Sequence, residues 1–146
     1  MSATQAKPRV AVLVHDGYQE LEFWYPLLRL REEEIDAVVL GVDADATYVS
    51  HLGYPVIPDL AFATEAAGGF TGVVVPGCGA GAALTAAPEA IRFVADAAAA
   101  GAAIGVIGGA SAILPAAGVK AGPKVAVAAD ANALPDFFRQ FRNQLG

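Results

Sequence analysis

Cysteine is almost absent from this sequence: Cys78 is the single one among 146 residues. No internal disulfide can form, which points to a reducing compartment and makes a cytoplasmic location the expectation. Basic residues are scarce too, nine against fifteen acidic ones, for a net charge of −6. With acidic residues gathered at 32–36, neither nucleic acid nor an anionic membrane surface is expected as a partner. Histidine occurs only at His15 and His51. Two distant histidines and a lone cysteine make no metal-ligand pattern, so neither a metal nor another cofactor is expected. The most apolar stretch, 97–118, is broken by five glycines and a proline and reads as core rather than as a membrane span. The first eight residues are a polar arm without the apolar centre of a secretion signal. The glycine-rich Gly77-Cys78-Gly79-Ala80-Gly81 lacks the spacing of a dinucleotide or phosphate loop.

What is present is enough apolar sequence, 55% of residues, for one domain over 1–146 with a real core. Arg9 to His15 is a continuous apolar run, the signature of a strand covered on both faces. Gln19 to Glu34 carries an apolar helix face through Leu21, Trp24, Tyr25, Leu27, Leu28 and Leu30. Pro26 inside it predicts that the long helix begins there, with 18–25 a separate turn or short helix. Ala37–Val42 is a second strand, 43–54 a turn region with room for a hairpin, and Leu60–Ala67 a short helix or turn. Gly72–Pro76 is a third strand. A helix opens at Thr85 or Ala87, has Pro88 and Glu89 in its first turn, and ends at Gly101. Lys124–Ala128 is a last strand and Leu134–Leu145 a closing amphipathic helix. Strands alternating with helices predict an α/β three-layer sandwich, a mainly parallel sheet with helices on both faces.

The centre of this plan is 102–114. An apolar strand through Ile107 turns at Gly108-Gly109 into a helix over Ala110–Ala117. Paired glycines tolerate a strained turn and let a ligand approach the backbone, while the first amides of the helix favour an anion or developing oxyanion. Ligands in such sheets bind beyond the carboxyl ends of the strands. The loops placed there are 15–22, 76–81 and 108–111. The turn itself carries no Cys, Ser or Thr.

The three loops resemble those of the ThiJ/PfpI family, within the class I glutamine-amidotransferase-like superfamily. The matching pieces are Asp16-Gly17-Tyr18-Gln19-Glu20-Leu21-Glu22 with Tyr25-Pro26, Leu30-Arg31-Glu32-Glu33, His51 to Val56 with Pro58-Asp59-Leu60, Val73 to Gly77, Ile104 to Leu114, and Leu134 to Phe138. The resemblance implies a flavodoxin-like fold and a homodimer. It also implies a pocket in which a first-loop carboxylate, here Glu22, meets a backbone amide after Pro-Gly, here that of Cys78. The family's nucleophilic cysteine and the histidine after it map onto Gly108 and Gly109, so the cysteine chemistry of its glyoxalase, deglycase and peptidase-type members cannot run there. The segment between Lys124 and the last helix is also short for the family.

The expected function is therefore that of an enzyme acting on a small organic molecule by non-covalent acid–base chemistry: hydration, dehydration, enolisation or cyclisation. Glu22 would transfer the proton, and amides around Gly77, Cys78, Gly108 and Gly109 would face the substrate. Asp16, Tyr18, Trp24 and Ser111 are further candidates for the pocket lining. Two other readings stand beside it. One is a non-catalytic ligand-binding or scaffold protein on the same fold. The other is an enzyme using Cys78 as a relocated thiol nucleophile. A serine nucleophile at Ser111 lacks the Gly-x-Ser-x-Gly surroundings.

Overall fold

A computed structural model describes residues 8–78 and 83–145. Residues 1–7 of the polar arm and the Gly79-Ala80-Gly81 part of the glycine-rich turn lie outside them. The chain runs β1 (Arg9–Leu13), α1 (Glu20–Glu32), β2 (Asp36–Gly41), β3 (Tyr48–Val49), β4 (Pro55–Val56), β5 (Leu60–Ala61) and β6 (Gly72–Val75). Then follow α2 (Ala83–Ala86), α3 (Pro88–Ala99), β7 (Ala103–Ile107), α4 (Ile113–Ala116), β8 (Val125–Ala128) and α5 (Leu134–Gln144). Six strands form one sheet in the order β5-β2-β1-β6-β7-β8, and every described ladder in it is parallel. β3 and β4 make a separate antiparallel hairpin.

Alternation along the strands divides the core in two. Val10 and Val12 of β1, Val39 of β2, Val74 of β6 and Ile107 of β7 pack with Phe23, Leu27 and Leu30 of α1 and Phe137, Phe138 and Phe141 of α5. Ala11, Leu13, Val38, Val73, Val75, Ile104 and Val106 point the other way, onto Leu84, Ala90, Phe93, Val94 and Ile113. This is the expected three-layer sandwich, with runs too apolar for a solvated face because both faces are covered.

The local structure departs from the sequence reading at three places. α1 is continuous from Glu20 to Glu32, with Pro26 inside it. Pro26 removes only the bond to the Glu22 carbonyl. Its ring is buried, and Gln19 caps the helix by accepting from the Glu22 amide at 3.0 Å. Leu60–Ala67 supplies an edge strand, β5, and 3-10 turns at 62–64 and 67–69. Two residues paired to β2 are too few to show a period. After β7, residues 108–112 form a 3-10 turn and α4 is only four residues long, where a helix over 110–117 was expected. The first turn of that segment therefore acts through its individual amides, because a macrodipole needs aligned peptides to build on.

Candidate functional site

The strand order reverses between β1 and β6, and the loops beyond the carboxyl ends of β1, β6 and β7 meet there. Gly77, after β6, and Gly108, after β7, close on the side chain of Glu22 from α1. Glu22 Oε1 accepts the Gly77 amide at 2.9 Å, and the residue is 8% exposed. Gly77 leaves no room for a side chain beside that carboxyl, and Gly108 leaves little. A Cβ on Gly77 would collide with Glu22 Oε1. A Cβ on Gly108 would stand 3.1 and 3.2 Å from the two carboxyl oxygens, and Gly108 takes φ +57°, a left-handed conformation that favours glycine. Next to it Gly109 is exposed, and among the described residues nothing lies within 4 Å of the point its Cβ would occupy. The elbow thus keeps its bend, without a side chain at its apex.

Burial lifts the Glu22 carboxyl above the ordinary carboxylate range. The Gly77 amide pulls it back down, and the charge of Asp130 pushes it up again. A carboxyl so placed holds its proton closer to neutral pH and can both accept and release one. Asp130, in the loop after β8, was not among the sequence candidates. Its one signal was the Asp before a helix start, where its carboxylate accepts the Asn132 amide at 2.9 Å.

Cys78 sits beside the carboxyl, half-buried and joined to Tyr18 by an isolated antiparallel bridge, with the Gln19 amide on the Gly77 carbonyl at 2.9 Å. Burial pushes its thiol up; the Leu84 amide lowers it, and the charges of Glu22 and Asp16 raise it further. A thiol in such surroundings stays protonated, the reverse of what activates a nucleophile.

The other sequence candidates do different work. Asp16 Oδ1 accepts the Val49 amide at 3.0 Å, and the Gly17 amide donates to Val49 O at 2.8 Å. Tyr18 is 0% exposed, and its hydroxyl donates to the Tyr54 carbonyl at 2.9 Å. Glu20 Oε2 accepts the Leu52 amide at 2.7 Å. Together these bonds clamp the β3–β4 hairpin onto the loop after β1. The expected place of Tyr18 in the pocket lining is thereby corrected: its ring is core, because its hydroxyl finds a buried carbonyl. Trp24 packs edge-on against Phe23, centroids 5.0 Å apart, with its polar edge toward Tyr18. His15 packs on Tyr48 and accepts the Asp16 amide at 2.8 Å. Ser111 is exposed on the 3-10 turn after the elbow. The candidates that the fold brings together are Glu22, Gly77, Cys78, Gly108 and Gly109.

No helix among the described residues is long and apolar enough to cross a membrane. A family model described as the DJ-1/PfpI family matches residues 8–133. An uncharacterized protein from Archaeoglobus fulgidus is 36% identical over 69 residues, 47% of this chain and 40% of its own. The chain also superposes on a cysteine-to-alanine mutant of a DJ-1 superfamily protein from Salmonella typhimurium with a TM-score of 0.82. That match has 27% identity and covers 95% of this chain and 91% of the other. A two-domain protein from Anabaena variabilis, with DJ-1/ThiJ/PfpI-like and ferritin-like domains, matches with a TM-score of 0.75 and 23% identity over 92% of this chain. The chain spans 38% of that protein's length, as it spans 40% of the Archaeoglobus relative.

Proposed function

Because this chain belongs to the DJ-1/PfpI family and carries glycine at its strand-to-helix elbow, we propose that it is a small-molecule enzyme working by non-covalent proton transfer. Glu22 is the transferring group. One observation carries the reading: a buried carboxyl with a raised pKa, fixed through one oxygen by the Gly77 amide, beside an elbow with no side chain. In an enolisation, the ionised Glu22 takes a proton from carbon next to a carbonyl. The C–H electron pair becomes a C=C bond and the carbonyl oxygen takes the negative charge, facing amides of Cys78, Gly108 and Gly109. The proton then returns to carbon or to oxygen. Hydration, dehydration and cyclisation use the same parts.

The test is deuterium incorporation from heavy water into a panel of small ketones and keto acids, followed by NMR. Glu22→Gln should lower exchange of an accepted compound by about 10²- to 10⁴-fold, the usual worth of a positioned acid–base group. Cys78→Ala should leave it within a few-fold. Unchanged exchange in Glu22→Gln sinks the proposal, and loss confined to Cys78→Ala transfers the chemistry to the thiol.

A second reading, a non-catalytic ligand-binding or scaffold protein, rests on the Gly77 bond, which also gives Glu22 a purely structural use. No exchange with any compound, together with a small molecule found at Glu22 in soaked crystals, would favour it.

We also propose a homodimer. Its support is an apolar stripe on the outside of α1, with Leu21 and Leu28 exposed, and the exposed Leu52, Tyr54 and Ile57 in and beside the hairpin clamped next to it.

A further inference from the structure

α3 carries few charges, and they are not scattered. Of its twelve residues only Glu89, Arg92 and Asp96 are charged. Their spacing, i, i+3 and i+7, sets them on one stripe. All three line a cavity of about 470 Å³ between α3 and the 3-10 turns at 62–64 and 67–69. Its floor is apolar, with Phe62 and Phe93 buried and their ring centroids 5.5 Å apart. The volume suits a small molecule.

On a solvated helix face, opposite charges three or four residues apart can close into pairs. Elsewhere in this protein that happens: Arg29 pairs with Glu32 and Glu33, and Arg139 with Asp136. Arg92 has Glu89 and Asp96 at those same spacings. Among the described residues it forms an ion pair with neither. Glu65, also on the cavity, is held by Arg9 at 3.2 Å. Among the described residues, one free guanidinium and two free carboxylates therefore surround an aromatic floor. The cavity belongs to the core on the far side of the sheet from α1 and is independent of the Glu22 site.

We propose that this cavity binds a zwitterionic α-amino acid with an apolar side chain. The carboxylate engages Arg92, whose planar fork matches it. The ammonium faces the flanking Glu89 and Asp96, and the side chain lies on Phe62 and Phe93.

The probe is L-phenylalanine, titrated into isotope-labelled protein and followed by NMR. Saturable shifts are expected at the α3 amides and at the rings of Phe62 and Phe93. Arg92→Gln, an exposed position at which the spectrum should otherwise be unchanged, should weaken binding about tenfold, as loss of a charge-assisted contact does. N-acetyl-L-phenylalanine, without the ammonium, and L-phenylalaninamide, without the carboxylate, should each bind several-fold more weakly. Glu22→Gln should bind as the wild type does. No saturable shift, equal binding by Arg92→Gln, equal binding of either blocked compound, or shifts gathered at Gly77 and Gly108 would each overturn the proposal.

Discussion

Glu22 shows how one side chain is tuned by what its neighbours lack. Gly77 offers an amide and no Cβ, and Gly108 offers a left-handed turn and no Cβ, so the carboxyl sits against backbone on two sides. Burial is the main cause of its raised pKa, and a consequence for stability follows. The folded chain holds the proton more tightly than the unfolded one, so it binds more protons across the window between the ordinary carboxyl value and the raised one. Stability therefore falls as pH rises through that window. Glu22→Gln, which keeps an oxygen for the Gly77 amide and never ionises, should melt a few degrees higher than the wild type at about pH 8. That advantage should vanish near about pH 3, below the ordinary carboxyl value, where Glu22 is neutral both folded and unfolded. Calorimetry at the two pH values decides it, and an equal gap at both would refute the linkage. The sequence alone points to a bend at Gly108-Gly109. The need for glycine at Gly77 is not legible there, since it comes from a side chain 55 residues away.

Among the elements, α5 is set by what the sheet omits. Gly105, in the middle of β7, would place a Cβ 2.7 Å from Phe137 Cζ and 2.9 Å from Phe141 Cδ1. The stacked rings of Phe137 and Phe141, 6.0 Å apart, rest directly on that strand. Gly105→Ala should cost about 1–3 kcal/mol of unfolding free energy through overpacking, read as a shift of the denaturant midpoint. A change under a few tenths would mean that the rings move aside freely. α5 also reaches the C-terminal end of α1 through the ion pair of Arg142 with Glu33, the residue capping it, and through Arg29 over the Phe138 ring, 4.8 Å from its centroid. The helical period of 134–145 announces α5. The glycine that lets it lie close looks, in sequence, like a flaw in a strand.

For the molecule as a whole, α1 is apolar on two sides. Phe23, Leu27 and Leu30 face the sheet, while Leu21 and Leu28 face outward. A surface helix needs only one apolar stripe, and a twofold dimer would cover the second with its own copy. Leu28→Asp should turn a dimer into a monomer in size-exclusion chromatography with light scattering, while the circular dichroism spectrum stays that of the wild type. A wild-type chain that is monomeric at high concentration would end the dimer proposal.

The parallel α/β sandwich was legible from local pattern alone. Apolar runs through Val10–Val14, Val73–Val75 and Ala102–Ile107 alternate with helical periods, and covering both faces of each strand leaves few other architectures. The elbow at Gly108 was legible for the same reason, as a bend between a strand and a helical segment. Tertiary structure decided everything that depends on distant partners. It made α1 continuous through Pro26, because packing offsets one lost hydrogen bond. It turned Asp16, Tyr18 and Glu20 toward the hairpin, because amides and a carbonyl at 49–54 needed their bonds. It raised the Glu22 carboxyl by closing β1, β6 and β7 over it, since a pKa belongs to surroundings and a linear sequence has none.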